Sequence, residues 1–367
     1  QHGEQFWRLI RGPLFDRPPT PRELTRLATR VAGSPTMGAT LSLRTWAQRA
    51  VPDHRLRAML ESQTGWTGAD PRRTPAVLAA LPYLEHAFGT WYIPGGMHRL
   101  AMALAERAAL RGATIRTSCA VVEVMVGDGH VRGVRLADGE TLPAQIAVVS
   151  AHAGHLYRDL VVPARRERRE LARSVLPPSV FTLLVAVRGR TPNVAHRTIV
   201  LSEDADAELD WLRVPDTGPP PVPTVSISVP DDPSIRPAGG EAWAVHVRAP
   251  RHGSAGPGVV DWDVAGLAES FGDRLIDVIA ARGFDLRERM LWRAVISPAD
   301  RERATRAPGG AVGGFAPTGL RSLWRRPANH SSVHGLFLVG ASTHPGPGLL
   351  PFAGQSAAFA ADMIGRA

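Results

Sequence analysis

The sequence predicts a chain of α/β and α+β type. Helices come first, then a lobe of nucleotide-binding kind, then a mixed or antiparallel sheet, then a return to the lobe at the end. Three observations carry this. Between residues 114 and 160 a strand, a hairpin, a strand and a helix follow one another. Between residues 179 and 248 alternating apolar runs are separated by loops containing proline and aspartate. After Gly335 an apolar run enters a loop of glycines and prolines and then a last helix. With 367 residues, 44% of them hydrophobic, the chain exceeds one ordinary domain, so two or three lobes are expected.

Residues 1–90 are helical in pattern. Pro21-Arg22-Glu23-Leu24 starts one segment, Leu41 to Ala50 forms a second and His54 to Ser62 a third, with Gly65-Trp66-Thr67-Gly68 as a break. This reads as a helical cap, either plain packing or the wall of an apolar pocket. Trp91-Tyr92-Ile93-Pro94-Gly95-Gly96-Met97 precedes an alanine- and leucine-rich helix from His98 to Leu110, closed by Arg111-Gly112. A strand from Thr114 to Thr117 continues through Val121-Val122-Glu123-Val124-Met125-Val126, turns at Gly127-Asp128-Gly129 and returns as Val131 to Leu136, before a turn at Asp138-Gly139. Gln145 to Ser150 is a buried-looking strand and His155 to Leu160 a helix-like stretch. That order suits a nucleotide-binding lobe, whereas composition alone favours an ordinary α+β core element.

The next strands are Ser179 to Val187, His196 to Leu201, Thr224 to Val229 and Ala242 to Arg248. His252 to Gly258 reads as a flexible bridge, because its glycines lack the preceding strand and the spacing of a phosphate loop. Val264 to Arg282 reads as a helix with Leu267, Phe271, Leu275 and Ile279 at core-facing intervals. Leu336 to Ala341 is a buried strand of parallel type. It runs into Ser342-Thr343-His344-Pro345-Gly346-Pro347-Gly348-Leu349-Leu350-Pro351, and a helix from Phe352 or Gly354 to Ile364 follows.

Composition excludes several chemistries. The 43 basic residues against 34 acidic ones give a formal charge of +9, and none of the 43 is lysine, so Schiff-base chemistry and lysine bases are excluded. The arginines are scattered rather than blocked with aromatics, which argues against a nucleic-acid partner. The single cysteine, Cys119, forms no internal disulfide and supplies no multi-cysteine metal site, so a reducing compartment is the default. No run of eighteen apolar residues occurs, and Gln1-His2-Gly3-Glu4-Gln5-Phe6-Trp7 lacks the character of a signal peptide. The expected location is cytoplasmic, with peripheral contact at the inner face of a membrane.

The segment after residue 336 carries the chemistry. Glycines at 340, 346 and 348 beside prolines at 345, 347 and 351 remove side chains and fix the backbone, as close approach by a large planar or phosphorylated ligand requires. Amides at the start of the last helix would favour partial negative charge there. His344 is the titratable candidate in this loop; with no nucleophile elbow or partnered acid beside it, a positional hydrogen bond is preferred over proton transfer. No carboxylate pair suits glycosidase work. His152 and His155 lack further ligands at zinc-like spacing, so no metal is expected.

On these residues the chain resembles the FAD-dependent carotenoid or phytoene desaturase family, within the wider amine-oxidase-like flavoproteins. The marks are Trp91 to Met97, the stretch Ser150-Ala151-His152 to Tyr157-Arg158-Asp159-Leu160, Ser297-Pro298-Ala299-Asp300, and Leu338 to Gly348. The resemblance implies a partial Rossmann-like FAD-binding domain with a mixed-sheet substrate domain and a helical cap. Residues 1–90 would be a helical part of the substrate domain or a lid, 91–160 an FAD-domain segment, 161–330 the substrate-binding domain and 331–367 the C-terminal FAD-domain segment. It further implies FAD contacts at Val121 and Val122 on the adenine side, at Gly340 and Ala341 near the pyrophosphate and ribityl chain, and at Gly348, Leu349 and Leu350 beside the flavin ring.

The implied reaction is desaturation of carbon–carbon bonds in a carotenoid or related isoprenoid, with an apolar polyene or isoprenoid as substrate and a membrane surface as a further partner. The alternatives are a noncatalytic isoprenoid-binding relative and a flavin oxidase with a different apolar substrate. Two departures stand out. Ser342 replaces a smaller residue and Leu349-Leu350-Pro351-Phe352 replaces small ones, which would reshape the flavin-side wall. The Gly-x-Gly-x-x-Gly unit with which the family begins is absent, so the chain is expected to be an N-terminally truncated form. A degenerate non-flavin relative is less favoured, and a separate N-terminal polypeptide least.

Overall fold

The computed structural model describes residues 2–16, 20–32, 42–65, 67–161, 164–215, 222–319, 322, 326–346 and 350–365. The chain divides into two compact units. Unit 1 is built from Gln1–Gly89, Ala120–Pro178 and Glu302–Ala367, and unit 2 from Thr90–Cys119 and Ser179–Arg301. These bounds differ from the expected segments: residues 1–89 pack within unit 1, the segment 91–160 is split at residue 120, and the segment 161–330 gives 179–301 to unit 2 and its two ends to unit 1.

Unit 1 opens with five helices: α1 (His2–Ile10), α2 (Pro21–Ala32), α3 (Leu43–Ala50), α4 (His54–Gly65) and α5 (Ala80–Phe88). Thr20 and Glu23 cap α2 reciprocally, the Thr20 N–H donating to Glu23 Oε2 at 2.9 Å and the Glu23 N–H to Thr20 Oγ1 at 3.4 Å. Ser42 caps α3 by accepting from the Thr45 N–H at 3.2 Å. Phe6 and Ile10 lie one turn apart on α1, and Leu43, Trp46 and Ala47 form the matching stripe on α3. These faces meet through an edge-to-face contact of Phe6 with Trp46, centroids 5.3 Å apart. Arg44 and Glu61 join α3 to α4 with Nη2 to Oε2 at 2.7 Å.

Along the chain α6 (His98–Ala109) follows, in unit 2, and then the strands of unit 1: β1 (Val121–Gly127), β2 (His130–Leu136), β3 (Thr141–Pro143) and β4 (Ala147–Val149). The strands β1, β2 and β3 form an antiparallel sheet. Asp128 and Gly129, at φ +51° and +75°, make the two-residue turn whose twist matches a hairpin. Residues Thr114–Thr117, expected as a strand, are not one: alternation alone does not hold a strand, and no ladder joins them to a strand among the described residues. After β4 come α7 (Ala153–His155), a wider helical turn over Leu156–Leu160, and α8 (Arg165–Leu171).

Unit 2 contains β5 (Ser179–Arg188), β6 (Arg197–Val200), α9 (Ala205–Trp211), β7 (Val225–Ser228), β8 (Gly240–Ala249), β9 (Arg251–His252), β10 (Val259–Val260), α10 (Leu267–Ala281) and β11 (Met290–Ile296). Its main sheet has the order β11-β5-β8-β7-β6 and is antiparallel throughout. Phe181, Leu183, Val185 and Val187 alternate inward on β5 opposite Val247, Val245, Trp243 and Glu241 of β8. The α10 stripe of Phe271, Leu275 and Ile279 packs into the same core, as its spacing predicts. Two features differ from expectation. The bridge 252–258 joins a short parallel pair, β9 with β10, and β11 is a strand that the sequence pattern did not show, since Leu291 and Trp292 are both exposed.

The helix α11 (Pro298–Thr305) begins at a reciprocal cap, with the Ser297 N–H donating to Asp300 Oδ2 at 2.9 Å and the Asp300 N–H to Ser297 Oγ at 3.2 Å. The Ser297-Pro298-Ala299-Asp300 motif is thus a helix start. The chain then returns to unit 1 with β12 (Leu336–Leu338), parallel to β4 in the register Leu336 to Ala147 and Leu338 to Val149, and with α12 (Leu350–Ile364).

Candidate functional site

Two parallel strands ending side by side mark the place where open α/β sheets receive ligands. Here β4 leads into Ser150-Ala151-His152 and α7, and β12 leads into Val339-Gly340-Ala341 and the loop before α12. The Val339 N–H donates to Val149 O at 3.0 Å, which keeps the two exits together. Gly340 has φ +97°, a conformation that glycine takes at no steric cost, and a Cβ there would meet nothing nearer than Ser150 O at 3.4 Å. Its open side is available to a ligand.

Side chains, rather than a ladder, hold this loop. The Gly340 N–H donates to Ser356 Oγ at 3.2 Å, and the Asn329 amide nitrogen lies 2.8 Å from the same oxygen. Thr343 Oγ1 donates to Gly340 O at 3.0 Å, so the Ser356 hydroxyl gives its own proton to Thr343 Oγ1, 2.9 Å away. The Asn329 amide also reaches Leu338 O at 3.1 Å and His344 O at 3.0 Å. These acceptors fix which end of the amide is nitrogen. Asn329 Oδ1, on the other side, is buried with no hydrogen-bond partner among the described residues.

Ser342 is buried and accepts from the Ala153 N–H at 2.9 Å, which ties the loop to the start of α7. His152 caps the same helix. Its Nδ1 accepts from the Gly154 N–H at 3.0 Å, which leaves Nε2 to donate to Gly314 O at 3.3 Å. Burial holds the His152 pKa below that of a free imidazole, and the ring is neutral. Gly314 must be glycine, since a Cβ there would lie 2.2 Å from Ala341 O.

His344 is buried. Its ring stacks on Phe359 of α12 with centroids 5.7 Å apart, and the His344 backbone N–H donates to Pro327 O at 3.0 Å. Gly340, Ala341 and His344 therefore belong to one clamped loop. Val121 and Val122, exposed at the start of β1, stand on the other sheet of the unit. Leu350 is the first residue of α12, and Gly348 and Leu349 lie outside the described residues.

Sequence reasoning missed Asn329, Ser356 and Arg326. Ser356 had a signal: it falls one turn from Phe352 and Phe359 on the apolar stripe of α12, where a polar side chain needs a partner. Nothing local marks Asn329 or Arg326, whose roles come from contacts across the fold.

In unit 2 the Trp91 to Met97 motif is locked by Asp232. Oδ2 of this carboxylate accepts from the Gly95 N–H and from the Tyr92 hydroxyl, both at 2.7 Å, and Oδ1 accepts from Ser234. The Gly95 amide first, then the Ser234 and Tyr92 hydroxyls, hold the Asp232 carboxyl far below the usual carboxylate range. His252, Asp261 and Asp263 are the one cluster of potential metal ligands among the described residues. His252 Nδ1 accepts from the Trp262 N–H at 3.2 Å, so Nε2 carries the proton that faces Asp263 at 3.4 Å, and a hydrogen-bonded pair accounts for the geometry.

Residues 36–237 match the model of the flavin containing amine oxidoreductases. The chain belongs to that family. A neurosporene-forming phytoene desaturase of Cereibacter sphaeroides is 31% identical, over 89% of this chain and 65% of its own length. A hydroxyneurosporene desaturase of Rubrivivax gelatinosus is 30% identical, over 85% of this chain and 58% of its own. The chain thus spans less than two thirds of each of these relatives. Among solved structures an oxidoreductase from Methanosarcina mazei superposes with a TM-score of 0.58 at 16% identity, covering 86% of this chain and 67% of that one. This last likeness is one of fold.

The family is one of flavoproteins, and the Gly340 loop fits the approach of such a group: it presents a Cβ-free backbone at the carboxyl ends of two parallel strands. Among the described residues no helix is long and apolar enough to cross a membrane.

Proposed function

We propose that the chain carries the flavin-facing loop and the substrate-facing sheet of an FAD-dependent desaturase acting on carbon–carbon bonds of a carotenoid or related isoprenoid. The observation that carries this reading is the clamped Gly340 loop in a chain whose relatives, by name, desaturate phytoene and hydroxyneurosporene. FAD, when bound, supplies the hydride acceptor. The chain's own residues position and exclude. Gly340 and Ala341 present backbone to the cofactor, with Val121, Val122, Gly348, Leu349 and Leu350 as further contacts. His344 acts by position, because its ring is packed on Phe359 and a proton relay would need it at an open surface.

Peripheral membrane contact is part of the proposal. On α6 no side chain is buried, Trp91, Met97, Met102, Leu104 and Leu110 are exposed beside it, and Arg99, Arg107 and Arg111 are exposed among them. Such a face suits an anionic bilayer surface. The test of function is to load the protein with FAD and supply phytoene in liposomes. New absorption bands of a longer conjugated chain are expected. A polyene that binds without spectral change, to protein that takes up no flavin, identifies a noncatalytic isoprenoid binder. The membrane arm is co-sedimentation, with more protein on anionic than on zwitterionic vesicles; equal recovery on both overturns it.

A further inference from the structure

Arg326 is a buried cation without a buried anion. It is 9% exposed, and no carboxylate pairs with it among the described residues. Its Nη2 donates to Phe315 O at 2.7 Å and Nη1 to Ala341 O at 3.2 Å. The guanidinium lies flat against Gly346, where a Cβ would fall 2.3 Å from Nη1. Carbonyl oxygens satisfy two of its five N–H donors and leave the charge uncompensated. Burial alone brings its pKa down to about 10, which still leaves it charged at neutral pH.

Beside Arg326 lies a cavity of about 70 Å³, lined by Arg326, Arg173, Ser174, Thr318 and Ser322 with Val175, Phe315 and Ala316 as its apolar part, and by no acidic side chain among the described residues. That volume is several times what one water needs. Of the two arginines in the lining, Arg173 is exposed and Arg326 is buried. Ser322 Oγ already donates to Gly319 O at 2.7 Å, which leaves two guanidinium groups and the Ser174 and Thr318 hydroxyls to match a tetrahedral oxyanion, whose oxygens accept several charge-assisted hydrogen bonds at once.

We propose that the Arg173–Arg326 cavity binds a phosphate group, which supplies the missing counter-charge next to the Gly340–Gly346 loop. The assignment stands on cavity, charge and hydroxyls and does not depend on the desaturase reading. Two sources share this chemistry, free phosphate and a phosphate of the dinucleotide. Isothermal titration with inorganic phosphate, against chloride at equal ionic strength, is the test. Saturable phosphate binding is expected in the wild-type chain, with affinity about fivefold lower in R173Q and binding lost in R326M. R173Q alters only an exposed side chain, so the test survives if R326M fails to fold. Phosphate uptake that does not saturate, or an affinity unchanged in R173Q, overturns the proposal. Repeating the titration with FAD present separates the sources: competition assigns the site to the dinucleotide phosphate, and independent binding to a free one.

Discussion

The β5–β8 ladder of unit 2 and the β4–β12 pair of unit 1 solve opposite problems. In the first, two ten-residue strands pair along their whole length over a core that includes Trp243, Phe181 and Phe271. In the second, two three-residue strands meet, and their exits are held by Asn329, Ser356, Thr343 and Ser342. A long ladder is held by backbone and buried area, so it tolerates much change in any one polar group. A loop left open for a ligand has no ladder to lean on, and each hydroxyl or amide that clamps it becomes individually important.

The comparison makes unequal demands on single residues, which substitutions can break. Phe271→Ala empties the contact between α10 and the sheet and should cost about 4 kcal/mol in urea unfolding followed by tryptophan fluorescence. A loss below about 1 kcal/mol would show that the sheet core repacks around the gap. Asn329→Leu should cost about 2 kcal/mol, because it strands the Leu338 and His344 carbonyls in a buried place. It should also weaken FAD uptake while leaving the far-UV signal of unit 2 unchanged; unchanged flavin uptake would detach the amide from the site. Ser356→Ala should cost about 1 kcal/mol by the same route, since the Gly340 N–H loses one acceptor.

The smallest effect is a pH dependence shared by both regions. His152 in unit 1 and His246 in unit 2 are each held below the ordinary imidazole pKa of 6.5, chiefly by burial. A lowered histidine pKa means that the unfolded chain binds the proton more readily. The contribution of each ring is therefore complete above pH 6.5 and is lost as the pH falls below it, by at most about 1.4 kcal/mol per pH unit for one proton. His246→Gln should flatten the fall in the urea midpoint between pH 6.5 and 5. An identical slope in wild type and variant would show that this imidazole is not titrating.

Much of unit 2 is legible in the sequence because inward alternation on β5 and β8 and helical spacing on α10 are local signals. The hairpin at Asp128-Gly129 and the β12-to-α12 junction are legible for the same reason. What is not legible depends on partners distant in the chain. Thr114–Thr117 alternates like a strand and is none. β11 lacks the alternation and is a strand, because β5 supplies its ladder. In the site, Gly340 was marked by its own residue type, whereas Asn329 matters only because the chain brings Leu338, His344 and Ser356 around it. Ser342 and the Ser297–Asp300 motif show the converse: residues conspicuous in sequence turn out to cap α7 and α11.

Unit 1 is gathered from three stretches of chain and unit 2 from two that lie between them. During synthesis Arg301 leaves the ribosome before Glu302, so every strand of the five-stranded sheet is available while unit 1 still lacks Asn329, β12 and α12. A nascent chain stalled before residue 329 would hold the α1–α5 core and the whole antiparallel sheet, yet would have no clasp for the Gly340 loop. The clamp on the Gly340 loop is therefore completed only after the whole antiparallel sheet of unit 2 has been made.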